Sequence, residues 1–263
     1  MLAAERRRRI LERIRGRGAV SVAELATDLE TSEMTVRRDL RDMAGEGLLV
    51  RTHGGAVRPE GYAYEPSYSE KSRLAAEEKA AIARLAVQLV HPGDSILLGP
   101  GTTTLALARL LAGIPELAVV TNSLLVANAL LPASGVEVML TGGMLRRSIH
   151  ALVGPGAEDS LRSLRSARAF ISGNGLTVQR GLSTPSQLVA STDRAVAAAA
   201  QQVVVLADHT KLGHETMWQT VPTERIDVLI TDSLAEPEVL TALREAGVDV
   251  RVADVDEERA EIA

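Results

Sequence analysis

Ser21 to Leu40, SVAELATDLETSEMTVRRDL, reads as two short helices joined by a tight turn, the second loaded with arginine. Ser21 and Glu24 form an S-x-x-E capping box. The serine oxygen takes an orphan amide of the first turn, and the glutamate reaches back to the serine amide. Val22, Leu25, Ala26 and Leu29 then recur at helical spacing. Thr31 and Ser32 supply a turn and a new N-cap. In the second helix Val36, Leu40 and Met43 share one face. The opposite face carries Met34, Arg38 and Arg41, flanked by Thr35 and Arg37. A helix with one apolar face packs on a neighbour and turns its cationic face outward, which is what a reader of the DNA major groove needs. A solvated amphipathic helix would show the same pattern alone. The capped helix before it and the segment after it decide between the two.

That following segment runs Leu48-Leu49-Val50-Arg51, then Thr52-His53-Gly54-Gly55, then Ala56-Val57-Arg58. It reads as strand, glycine turn, strand: a small hairpin or wing. Arg51, His53 and Arg58 would lie beside a phosphate backbone. Ser32, Met34, Thr35 and Arg38 stand near the start of the second helix and are the candidate base readers, with Ser21 at the start of the first helix as a further DNA-site residue. Arg37 and Arg41 are the candidate phosphate contacts. The arginines at 6 to 9 either touch phosphate as well or are simply solvated.

The run S-E-M-T-V-R-R-D-L, followed by R-T-H-G-G-A, closely resembles the amino-terminal domain of the DeoR family of bacterial transcriptional regulators, over Arg6 to Val57. One departure is Thr31, where the family usually has an apolar residue.

Charge is divided unequally along the 263 residues. Residues 1–58 carry 12 Lys+Arg against 9 Asp+Glu, and the remainder 17 against 25. The overall balance is acidic, but a basic module sits at the front. There is no cysteine, so disulfides and thiolate metal sites are excluded. No apolar run is long enough to span a membrane and no signal-peptide core follows the first basic residues, so a cytoplasmic protein is expected.

Residues 59–76, with Pro59, Gly61, Pro66 and the tyrosines Tyr62, Tyr64 and Tyr68, read as an extended linker whose tyrosines dock on a neighbouring domain. From Glu77 onward helices alternate with short aliphatic strands. Strands are expected at 95–98, 117–120, 136–140, 167–171, 203–206, 228–230 and 248–252, with helices between them. That alternation implies a mainly parallel, doubly wound sheet covered on both faces. The domains are therefore 1–58 (winged helix-turn-helix), 59–76 (linker) and 77–263 (effector sensing and oligomerisation).

Polar residues in this second domain gather just after strands, where the ends of an open α/β sheet converge on one crevice. They are Gly101-Thr102-Thr103-Thr104, Thr121-Asn122-Ser123, Gly142-Gly143, Gly173, and the stretch Asp208 to Lys211. G-P-G-T-T-T opens a helix, where free amides and the helix dipole suit a phosphate. Any single loop could be a plain strand-to-helix turn; several converging loops and a lysine favour the phosphate. No P-loop and no G-x-G-x-x-G after the first strand is present, so neither nucleotide hydrolysis nor a dinucleotide is expected, and no cofactor.

The pieces E-K-A-A-I-A, G-T-T-T, V-V-T-N-S, T-G-G-M-L-R, V-G-P, L-A-D-H-T-K-L-G and I-D-V-L-I-T-D resemble the sensor domain of the same family, over Glu65 to about Val252. The resemblance implies a fold similar to sugar-phosphate isomerases. It also implies a repressor of a sugar operon whose grip on double-stranded operator DNA changes with a phosphorylated sugar, acting as a homo-oligomer, dimer or tetramer. Where the family commonly has an aspartate before the glycine-threonine loop, this chain has Gly99. The alternative is an aldose–ketose isomerase using Asp208, Asp232 and Lys211 as acid and base groups, which leaves a fused DNA reader without a role. A metal sensor built on His209, His214 and Glu215 is the weakest reading, and no metal site is expected.

Overall fold

A computed structural model describes residues 3–17, 19–46, 48–52, 54–57 and 65–255. The chain divides into two compact units, Met1–Pro66 and Ser67–Ala263.

The first unit contains α1 (Ala3–Arg17), β1 (Ala19–Ser21), α2 (Val22–Asp28), α3 (Glu33–Gly45), β2 (Val50–Arg51) and β3 (Gly55–Val57). Its core joins Ile10 and Ile14 of α1 to Val22, Leu25, Val36, Leu40 and Met43, so all three helices share one apolar centre. The expected hairpin is present as β2–β3, and β1 adds a third antiparallel strand in the order β1-β3-β2. That strand was not legible in the sequence, because three residues of A-V-S carry no alternation to detect. Gly55 pairs with Ser21 there, and a Cβ on it would stand 1.9 Å from the Val20 carbonyl oxygen, so only glycine fits.

The second unit runs through α4 (Tyr68–Arg73), α5 (Ala76–Val87), β4 (Ser95–Leu98), α6 (Thr102–Leu111), β5 (Leu117–Thr121), α7 (Leu124–Leu130) and β6 (Val136–Leu140). It continues with β7 (Met144–Arg146), β8 (Ala151–Val153), α8 (Pro155–Arg162), β9 (Ser166–Ile171), β10 (Gly175–Thr177) and β11 (Gly181–Thr184). It ends with α9 (Gln187–Ala198), β12 (Ala200–Leu206), β13 (Trp218–Val221), β14 (Val228–Asp232), α10 (Pro237–Glu245) and β15 (Asp249–Ala253). Seven strands form one parallel sheet in the order β15-β14-β12-β9-β4-β5-β6. Side chains alternate across it. Ile96, Leu98, Val119, Phe170 and Val204 face α5, α6 and α7. Leu97, Val120, Ile171, Val203 and Val205 face α8, α9 and α10. Apolar residues on both faces are what a doubly covered parallel sheet requires.

Two features differ from the sequence expectation. Residues 68–73, inside the stretch read as an extended linker, form α4, opened by a second capping box between Ser67 and Glu70. The breaker residues before it masked a helix start of the same S-x-x-E type as at Ser21. The antiparallel sheets β10-β11-β13 and β7-β8 were also missed. Their strands are three or four residues long, too short for a period to register.

The strand order fixes where a crevice lies. The chain moves outward from β4 through β5 to β6, then returns to the other side of β4 as β9 and proceeds to β12, β14 and β15. The direction reverses between β4 and β9, so the loops leaving these two strands part at their carboxyl ends. Ligands of open α/β sheets bind at such a switch point.

Candidate functional site

In the first unit Ser21 caps α2, with Ser21 N donating to Glu24 Oε2 at 3.0 Å and Glu24 N to Ser21 Oγ at 3.1 Å. Ser32 caps α3 by accepting from Thr35 N at 3.2 Å, and its hydroxyl meets that of Thr35. Ser21, Ser32 and Thr35 thus set the two helix starts with their own side chains. Val36, Leu40 and Met43 are buried, while Arg37, Arg38, Arg41 and Met34, which is 81% exposed, lie on the open face. A methionine left that far in water has no packing role in the unit. Arg37 is paired with Glu33 at 3.0 Å one turn earlier. The guanidinium groups of Arg38, Arg41 and Arg51 have no partner among the described residues. His53 and Arg58 lie outside the described residues, as do Tyr62 and Tyr64.

The sequence reading missed Asp39. It sits on α3 amid the exposed arginines, yet is buried, and Arg6 Nε donates to its Oδ2 at 2.5 Å. That hydrogen bond, against the opposing effect of burial, raises the Arg6 pKa above its ordinary value. Arg7 reaches Asp42 at 3.1 Å and Glu46 at 3.0 Å. Arg6 and Arg7 are therefore engaged with α3 and lock α1 against it. Arg8 and Arg9 pair one turn away with Glu12 and Glu5 on their own helix.

In the second unit the switch point is lined from several elements. Gly101 precedes α6, whose first amides have no side-chain cap. Thr103 and Thr104 are buried, Thr102 is half-buried, and Thr104 Oγ1 donates to the Gly101 carbonyl. Gly101 lies against Ser172, at the end of β9. Gly173 approaches β11 closely: a Cβ there would meet Leu182 at 2.7 Å. Gly99 has room for a side chain, since its nearest Cβ contact would be an ordinary 3.5 Å from the Phe170 oxygen.

Asp208 and Lys211 follow β12. Asp208 is 1% exposed and accepts from the Thr210 amide and hydroxyl. Burial works to raise its pKa, but the Lys211 and Lys79 charges and the Thr210 hydrogen bond outweigh it and hold the carboxylate below its ordinary range. Lys79, on α5, is the second residue the sequence reading missed. It is 4% exposed, its Nζ lies 3.8 Å from Asp208 Oδ2, and it donates to the carbonyls of Lys71, at 2.6 Å, and Leu74. Burial first of all lowers its pKa to about 8, Asp208 opposes this, and Lys211 and Lys71 reinforce it. Two further lysines and two carboxylates, Asp208 and the more weakly acting Glu78, thus act on one buried ammonium at the strand ends. The signal was present in E-E-K-A-A-I-A: with Ile82 and Ala86 on the core face, Lys79 falls beside them at helical spacing.

The remaining expected loops have different attachments. The Thr121 hydroxyl donates to Leu98 O and accepts from Ser123 N, and Ser123 caps α7. Asn122 Nδ2 donates to Leu152 O of β8, while its buried Oδ1 has no partner among the described residues. Gly142 and Gly143 turn the chain at positive φ from β6 toward β7, with Gly143 against Val153 and Ala157. Thr121, Ser123 and this glycine pair are accounted for by the fold, whereas Asn122 keeps an open acceptor.

The residues of the alternative readings are also placed. Asp232 accepts from the His209 amide at 2.7 Å, from Leu234 N, and faces His209 Nδ1 at 2.9 Å. The hydrogen bond to Asp232 raises the His209 pKa, burial opposing it. Glu215 is paired with Arg180. His209 and Glu215 are drawn to different partners, and no group of three or more metal-ligating side chains exists among the described residues. No helix among them is long and apolar enough to cross a membrane.

Residues 6–61 match the DeoR-like helix-turn-helix domain and residues 74–233 the DeoR C terminal sensor domain. The chain is 42% identical over 232 residues to the uncharacterized HTH-type transcriptional regulator YgbI of Escherichia coli (strain K12), covering 88% of this chain and 91% of that protein. It is 33% identical over 235 residues to the lactose phosphotransferase system repressor of Lactococcus lactis subsp. lactis, covering 88% and 92%. Ribose 5-phosphate isomerase A from Methanocaldococcus jannaschii is a distant structural likeness, at a TM-score of 0.40 and 19% identity over 52% of this chain and 55% of that one. With both domains in order and relatives aligned over most of their length, the chain belongs to the DeoR family and is a DNA-binding transcriptional regulator, not an enzyme.

Proposed function

We propose that this regulator is a cytoplasmic repressor of a sugar operon, and that a phosphorylated sugar bound at the switch point controls its hold on DNA. The observation that carries the reading is the cationic group at the strand ends: the buried Lys79 ammonium lies 3.8 Å from the buried Asp208 carboxylate, on which Lys211 also acts. The uncapped start of α6 opens beside the same crevice, so amide donors and helix dipole add to the attraction for an anion. The likeness to a lactose phosphotransferase system repressor agrees with a sugar-derived signal.

On this reading Thr102, Thr103 and Thr104 offer amides to the phosphate, Lys79 and Lys211 offer charge, and Asn122 Oδ1 accepts from a hydroxyl. In the DNA unit Met34 and Arg38, with Ser32 and Thr35 behind them, face base edges, while Arg37, Arg41 and Arg51 grip phosphates. The ligand works only through its different affinities for two arrangements of the protein.

The test is calorimetry with sugar phosphates and the parent sugars, on the native protein and on Lys211→Ala and Lys79→Met, with a separate DNA titration. Native protein binds a phosphorylated sugar at least tenfold tighter than the unphosphorylated one. Each variant loses most of that preference, and Lys211→Ala keeps its ligand-free DNA affinity. Equal affinity for phosphorylated and unphosphorylated sugar contradicts the proposal.

A further inference from the structure

Asp193 is explained neither by the fold nor by the anion cluster. It lies on α9, on the face turned into the protein with Ala190 and Ala197, and is 2% exposed. Its Oδ1 is enclosed and has no hydrogen-bond partner among the described residues. The neighbour Thr192 is satisfied, accepting from Gly154 N and donating to Leu188 O. A buried carboxyl used only to hold the fold would be expected to find partners in the same way.

Two cations act on Asp193, Lys71 more strongly than Arg194. Arg194 is engaged elsewhere, donating to the Gln219 carbonyl at 2.6 Å. The Lys71 carbonyl accepts from Lys79 Nζ at 2.6 Å, so Lys71 stands between Asp193 and the anion cluster. Its Nζ donates to Asn174 Oδ1 at 3.4 Å, and the same oxygen accepts from Thr184 Oγ1 on β11, the strand under α9. Asn174 follows Gly173 after β9, at the rim of the switch point. The cationic side of this region suits a phosphate. A buried oxygen with no donor suits the opposite chemistry, a hydroxyl of the ligand.

We propose that Asp193 is the specificity carboxylate of the crevice, accepting from sugar hydroxyls so that sugar phosphates are selected over inorganic phosphate. This rests on the anion-binding reading of the same site. Burial pushes the Asp193 pKa up to about 7, with Lys71 and Arg194 opposing. A hydroxyl donated to the ionised form satisfies the group that the fold leaves alone.

The experiment compares inorganic phosphate with glycerol 3-phosphate, glucose 6-phosphate, galactose 6-phosphate and tagatose 6-phosphate on the full chain by calorimetry. At least one sugar phosphate binds the native protein tenfold or more tighter than inorganic phosphate. Asp193→Ala lowers that ratio by tenfold or more and leaves inorganic phosphate bound equally or more tightly, since a negative neighbour is gone. Asp193→Asn, which keeps an acceptor, falls between the two. Thermal melts establish that each variant is folded. An unchanged ratio in folded Asp193→Ala overturns the assignment while leaving the anion site standing. A native protein that prefers no sugar phosphate over inorganic phosphate overturns it too, and one that binds no phosphate of any kind overturns both readings.

Discussion

Arg38 and Arg41 lie one turn apart on α3, both exposed and without a partner among the described residues, yet different roles are expected of them. Arg38 stands nearer the helix start, which enters the groove, and a bidentate base contact is worth about 1–3 kcal/mol. Arg38→Ala should therefore weaken operator binding far more than binding to random duplex. Arg41→Ala should reduce the salt slope of binding while leaving the preference among sequences intact. Equal losses on both DNAs for Arg38→Ala would make it a phosphate contact. Asp193 yields a different residue-scale prediction. Its folded pKa of about 7 stands above the ordinary 3.8, so the folded state holds a proton that the unfolded chain has released. The resulting penalty is absent below pH 4, grows between pH 4 and 7, and is constant above. Asp193→Asn should thus leave stability nearly unchanged at pH 4 and raise it at pH 8, by roughly 4 kcal/mol. Melting temperatures of the two proteins across this range provide the check, and a difference independent of pH would show that burial does not govern this acid.

At the scale of elements, α3 is held in place from behind. Its inner face packs through Val36, Leu40 and Met43, and Arg6 and Arg7 of α1 bind its acidic residues. Asp39→Ala removes one partner of a largely buried pair and should destabilise the first unit by about 2 kcal/mol, less than a fully enclosed pair would lose. Operator affinity should fall with it, although Asp39 is turned away from solvent. Unchanged stability in a denaturant titration would contradict this locking role. The helix-turn-helix was legible because each of its devices is local: a capping box at Ser21, a cap at Ser32, and apolar residues at helical spacing. The parallel strands were legible because strands covered on both faces are continuous aliphatic runs, as in Ser95–Leu98 and Val136–Leu140. What the sequence hid depends on pairing across distance. Asp39 looks like one more charge on a charged helix until Arg6 is found beside it. Lys79 looks like a surface lysine until α5 is laid on the sheet with Asp208 opposite. The strands β7, β8, β10, β11 and β13 exist only through their partners.

At the scale of the whole molecule, one short recognition helix per chain reads only a few base pairs, so a specific operator requires two or more copies. The second unit has surface to spare for such contacts. The edge strand β6 and the adjoining β7 leave Met139, Leu140, Met144 and Leu145 exposed. Light scattering on the full chain at micromolar concentration should give a dimer or tetramer, and Met139→Glu with Leu145→Glu should shift it toward monomer. A monomeric native protein would contradict this account of operator recognition.

The central claim is that a sugar phosphate in the second unit controls DNA binding by the first. It is tested by titrating the full-length protein against an operator selected by that protein from random duplexes. One titration is run without ligand, one at saturation with the sugar phosphate that binds tightest in calorimetry, and one with the same sugar unphosphorylated. The account predicts an operator affinity lowered tenfold or more by the phosphorylated sugar alone, a coupling of about 1.4 kcal/mol or greater. Operator affinity that is the same at saturating sugar phosphate as in its absence would contradict it.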